Sequence, residues 1–133
     1  MSQQNERAGR EIAEGVSQRD LTKLQANCTD DFENTSSFTA AAGKTYRGRE
    51  GWAAYLADVD AAWEEFRVEL EEILGVGADT VVAAVRVRAL GRESHLPIDE
   101  KAFSVAQFRD GKAIRAHTYP HRPEALRAAG LPE

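Results

Sequence analysis

The 133-residue chain has a single cysteine, Cys28, so it forms no internal disulfide, and a thiolate metal site, which needs two or more cysteines, is not expected. Such cysteine usage fits a reducing compartment. No stretch approaches the roughly 20 apolar residues of a membrane span, and Met1-Ser2-Gln3-Gln4-Asn5-Glu6-Arg7 lacks the apolar run of a signal peptide. The expected location is cytoplasmic, with no membrane partner. A basic excess is also missing: 17 Lys and Arg against 22 Asp and Glu leave a formal charge of −5. That balance repels polyphosphate backbones, so no nucleic-acid partner is expected. No linker, repeat or low-complexity segment divides the chain. With 42% apolar and 29% charged residues, residues 1–133 are expected to form one soluble globular domain, its ordered core spanning about 8–131.

Ala8, Ile12 and Val16 recur every four residues and mark one stripe of a first helix. Asp20 can cap a short second helix carrying Leu21, Leu24 and Cys28. Residues 32–39, rich in Phe, Thr and Ser, suit a short strand, and 40–43 a loop. Beyond Gly48, Trp52, Leu56, Val59 and Trp63 define a third helix, whose stripe Tyr55, Ala62 and Phe66 widen. From Phe66 the period becomes two, through Val68 and Leu70, until it slips at Glu71-Glu72, where a β-bulge is expected. Residues 75–79 read as a turn, 80–90 as a strand, and 98–109 and 112–119 as a hairpin. Asp110-Gly111 closes that hairpin, since both residues tolerate the positive φ of a type I′ turn. A last helix fits Pro123 at its first position and Gly130 as its left-handed cap. Helices first and strands afterwards imply an α+β fold with the helices against one side of a mostly antiparallel sheet.

This order, together with Gln18-Arg19-Asp20-Leu21, Thr29-Asp30-Asp31-Phe32, Tyr46-Arg47-Gly48-Arg49-Glu50-Gly51 and Phe108-Arg109-Asp110-Gly111-Lys112, resembles the SnoaL-like family of the nuclear transport factor 2-like superfamily. The resemblance runs from about residue 10 to residue 131 and implies a cone of curved sheet and helices around one apolar pocket. It also implies a homodimer through the outer sheet face. It does not imply one chemistry, because the same cup serves isomerases, cyclases, hydrolases and binding domains. The positions matching the acids and tyrosine of the steroid-isomerase branch hold Ile12, Ser36 and Ser104, none of which can move a proton near neutral pH. The arginine between carboxylates of the epoxide-hydrolase branch is not matched either: Arg86 and Arg88 have no Asp or Glu beside them in sequence. They are read as carboxylate binders in the pocket or as partners of acidic residues across strands or subunits.

A two-residue turn at Asp110-Gly111 pairs Phe108 with Ala113, Ala106 with Arg115, Ser104 with His117 and Ala102 with Tyr119 on one sheet face. If that face lines the pocket, His117 is a candidate catalytic base, and Ser104, Phe108 and Tyr119 are candidate ligand contacts. If it is the outer face, His117 meets solvent or a second subunit; one extra residue in the hairpin exchanges the two. Trp52, Tyr55 and Trp63 are further candidate contacts for a flat ligand, or plain core. His117 and His121 stand four apart, but Pro120 excludes a helix there and no third ligand is evident, so no metal is expected. No cofactor is expected: Gly43-Lys44-Thr45 lacks the upstream glycine of a phosphate loop, Phe38 standing there instead. Asn27-Cys28-Thr29 and Asn34-Thr35-Ser36 match a glycosylation sequon by chance, and Cys28 reads as a buried structural thiol.

The expected partner is therefore a small apolar or aromatic molecule, with His117 the candidate for a proton transfer. The alternative is a structural or protein-interaction module in which Trp52, Trp63 and Phe108 meet and fill the cup. An enzyme of cyclase or hydrolase type needs a carboxylate near His117, for which Glu33 and Asp31 are the candidates.

Overall fold

Asp20 sets the first corner of the chain, where its carboxylate accepts from the Lys23 backbone N–H at 3.0 Å and satisfies an orphan donor of a helix start. Arg19, at φ 55, turns the chain between α1 (Ser2–Gln18) and α2 (Leu21–Ala26). The second helix stops short of Cys28 because Asn27 caps it, its side-chain amide donating to the Lys23 carbonyl at 2.9 Å. The Asn27 carbonyl then accepts from the Ala113 N–H at 2.9 Å, which draws the chain into the sheet. Cys28 thus opens β1 (Cys28–Thr35) and is not a helical residue.

The computed structural model describes residues 2–36 and 44–132; the end of the expected first strand and the expected loop at 40–43 lie outside them. Beyond β1 follow β2 (Thr45–Arg47), α3 (Gly48–Ala62), β3 (Trp63–Val76), β4 (Thr80–Gly91), β5 (Pro97–Arg109), β6 (Lys112–Tyr119) and α4 (Arg122–Ala128). The three-residue β2 carries too little alternation to announce itself. Trp63 begins β3 instead of ending the helix. The six strands of the described residues share one sheet in the order β2-β1-β6-β5-β4-β3, antiparallel except for the parallel contact of β1 with β6. The expected α+β class is what the chain adopts.

Bulges curve the sheet. β3 slips against β4 between Leu70 and Glu72, at the place where its alternation breaks, and again between Ile73 and Gly75. The concave face buries Phe32, Phe66, Val85, Ala102 and Phe108 against Ala8, Val16, Leu24, Trp52 and Val59 of the first three helices. α4 lies on the convex face, where Ala125 and Leu126 pack on Val82 and Val105.

α1 also covers the free edge of β3. Ser17 Oγ accepts from the Val68 N–H at 2.8 Å and donates to the Val68 carbonyl at 3.0 Å, and the Arg19 guanidinium donates to the Phe66 carbonyl at 3.1 Å. These bonds occupy edge groups that would otherwise recruit a foreign strand.

Candidate functional site

Where β4, β5 and β6 cross the concave face the sequence places small side chains. Ala83 pairs with Ser104 and Ser104 with Thr118, while Ala106 pairs with Ala116. This floor leaves a cavity of about 110 Å³, walled by Ile12 and Val16 of α1, Trp52 and Tyr55 of α3, and Leu70 and Phe108 of the sheet. The space is apolar except for Asn34, Tyr55, Ser104 and Thr118.

α3 holds the wall through its aromatic residues. Trp52 lies flat on Phe32 with ring centroids 5.1 Å apart and 10° between planes, and its indole N–H donates to Cys28 Sγ at 3.3 Å. Tyr55 meets Trp52 and Tyr46 edge-on, at 5.6 and 5.3 Å. Tyr55 is buried with its hydroxyl bonded to Ser36, and burial pushes the phenol up to about 12, so it is uncharged at neutral pH. Tyr46 donates to Asp58 at 2.6 Å, and this bond, with Lys44 beside it, holds the Asp58 carboxyl below the usual carboxylate range.

Of the residues singled out in the sequence, Trp52, Tyr55, Ser104 and Phe108 line the cavity. Trp63 does not; it is half-buried and inclined against Phe66 at 6.1 Å, so Trp52, Trp63 and Phe108 do not converge to fill the cup. His117 and Tyr119 are on the opposite face, where their rings stack at 4.2 Å and their register partners are Val105 and Phe103. The expected pairs Ser104 with His117 and Ala102 with Tyr119 are thereby corrected. Phe108 still faces Ala113, but Gln107 already faces Arg115, so Ile114 is an extra residue in β6. One bulged residue exchanges the faces of everything beyond it, and Thr118 takes the place expected of His117. Partial burial lowers the His117 imidazole from its ordinary value.

Arg86 and Arg88 are cross-strand ion pairs: Arg86 meets Asp99 at 2.9 Å and Glu71 at 3.2 Å, and Arg88 meets Glu69 at 2.9 Å. Glu33 and Asp31 pair with Arg47 and Arg109, and neither lines the cavity. Among the described residues no three His, Cys, Asp or Glu are grouped to hold a metal ion, and no helix is long and apolar enough to cross a membrane.

Asn34 and Thr118 are cavity residues the sequence reading missed. A signal for Asn34 was present: Phe32, Asn34 and Ser36 alternate, and all three are buried, which marks an inward face with a carboxamide in it.

Residues 10–116 match the family model of the SnoaL-like domain. The sequence matches none of the curated proteins compared. Among solved structures, the fold is similar to that of a putative SnoaL-like polyketide cyclase from Jannaschia sp. CCS1, at 16% identity, TM-score 0.74, and coverage of 99% of this chain and 95% of that one. It is similar to a hypothetical protein with a ketosteroid isomerase-like fold from Catenulispora acidiphila DSM 44928, solved in complex with trimethylamine, at 18% identity, TM-score 0.75, covering 94% and 93%. TerC co-crystallized with polyporic acid is similar at 20% identity and TM-score 0.77, covering 94% and 96%. At these identities the likeness is one of fold.

Proposed function

The chain belongs to the SnoaL-like domain family, and on that premise we propose that it is a small-molecule-binding domain whose ligand sits between α1, α3 and the concave face of the sheet. The observation that carries this is the floor of Ala83, Ser104, Ala106 and Ala116, where larger side chains would have closed the space at no cost to the strands. Two proteins of similar fold were solved with small molecules, trimethylamine and polyporic acid.

The ligand is small, neutral and mostly apolar or aromatic. Trp52, Tyr55 and Phe108 offer it flat surface, and among the described lining residues none is Asp, Glu, Lys, Arg or His. A charged ligand would lose its hydration without gaining a partner. Proton transfer is no part of the proposal, because the described lining residues supply no base and His117 is on the other face. A homodimer through the outer sheet face, where Phe103, His117 and Tyr119 are half-buried, and a cytoplasmic location complete it.

Protein-observed NMR tests the binding: single-ring molecules are titrated while the Trp52 indole and the Val81 and Val85 methyls are followed. Saturable shifts centred on these residues are expected. A panel that moves none of them sinks the proposal.

A further inference from the structure

Asn34 is only 7% exposed, lines the cavity, and has no hydrogen-bond partner for its carboxamide among the described residues. Its neighbours explain why. In the sheet it stands between Tyr46 on β2 and Ala116 on β6; the Ala116 side chain has no polar atom to offer, and the Tyr46 hydroxyl is committed to Asp58 at 2.6 Å. The other hydroxyl on this wall, that of Tyr55, is bonded to Ser36. A buried carboxamide with two donors and an acceptor is destabilising unless something bonds to it. Leucine or valine would fit an apolar strand position without that cost.

We propose that Asn34 is the recognition group of the cavity and selects, among small apolar molecules, neutral ones bearing a single hydroxyl or carbonyl group. This rests on the binding function proposed above and adds the ligand class. A hydroxyl donates to the amide oxygen or accepts from the amide nitrogen, and a carbonyl accepts from the nitrogen, so the carboxamide serves either. A carboxylate is rejected because no cation is among the described residues that line the cavity. Ser104 and Thr118 are the other polar groups of the floor, on β5 and β6, and Ser104 lies two strands from Asn34, roughly 10 Å away by strand spacing. A single ring therefore brings its polar group to Asn34 or to Ser104, not to both.

The test is an NMR titration of the wild-type chain with toluene, phenol and benzoate, repeated on Asn34→Leu and Ser104→Ala. Phenol should bind about tenfold tighter than toluene, shift the Asn34 side-chain amide resonances, and lose that preference in Asn34→Leu but not in Ser104→Ala; benzoate should not bind. The wild-type amide shift needs no variant and so stands if Asn34→Leu fails to fold. Equal binding of phenol and toluene overturns the role of Asn34 while leaving the cavity a binding site, as does a phenol preference that Ser104→Ala abolishes. If neither probe binds, the proposed function falls and Asn34 with it.

Discussion

Trp52 is stacked on Phe32 at 5.1 Å and 10°, so the indole is part of the core, and the same residue lines the cavity. The two roles separate by measurement. Removing the ring deletes a large buried surface together with the aromatic pair, and Trp52→Ala should cost about 3–5 kcal/mol in urea denaturation. Trp52→Phe keeps a ring on Phe32, should cost a fraction of that, and should still bind single-ring probes.

Cys28 shows what burial does to a group that is chemically idle. Desolvation pushes its thiol up to about 12, outweighing the Trp52 N–H bond that favours the thiolate. Below about pH 9 the thiol is neutral in folded and unfolded chains alike, so its contribution to stability is fully present. Between about pH 9 and 12 only the unfolded chain ionises it, and that stability drains away. Tyr55 acts in the same sense from about pH 10 to 12. The melting temperature should therefore fall from pH 9 to 11, and less steeply in Cys28→Ala. A thiol reagent should label Cys28 slowly in buffer and rapidly in urea. Equal slopes for wild type and variant would remove Cys28 as a cause.

Much of this architecture can be read from the sequence, and the exceptions have physical reasons. The hairpin turn is written in two residues that accept positive φ, and Asp110 and Gly111 adopt 54° and 78°. The slip at Glu71-Glu72 shows because β3 alternates strongly from Phe66 up to it, and two glutamates in succession break the period. The slip at Ile114 does not show, because Ala113, Ile114 and Ala116 are all apolar and either register leaves both faces of β6 a mixture of apolar and polar residues. All the candidate residues of β6 depend on that one position. The aromatic wall of α3 is legible from periodicity alone, whereas the alternation that marks Asn34 is short and stands beside the acidic and polar residues of the same strand.

His117 follows from the same bulge. Its imidazole is lowered by partial burial beside Tyr119, so it stays neutral in the folded chain at pH values where the unfolded chain already takes up a proton. Stability contributed this way is present above the unfolded value near 6.5 and is lost as pH falls through the folded one. An NMR titration of His117 should give a midpoint below 6.5 that phenol and toluene leave unchanged, and His117→Ala should bind both probes within twofold of wild type. A midpoint that moves on binding would return His117 to the site and reopen proton transfer.

The small floor residues supply the sharpest separation of a binding cup from a merely structural one. Ala106 and Ala116 face each other across β5 and β6 beneath the cavity, so a longer side chain there grows into open space. If the space serves no ligand, filling it should only help: apolar burial contributes about 25 cal/mol per Å², and Ala106→Leu should gain on the order of 1 kcal/mol in urea denaturation. If the space is a binding site, the same variant should keep or gain stability while single-ring probes lose at least tenfold in affinity. Ala113→Leu is the control, since Ala113 is fully buried and does not line the cavity, and overpacking there should cost about 1–3 kcal/mol. Tight binding surviving in a stable Ala106→Leu chain would place the ligand elsewhere, whereas loss of binding with stability retained would show that these alanines are small for the ligand's sake.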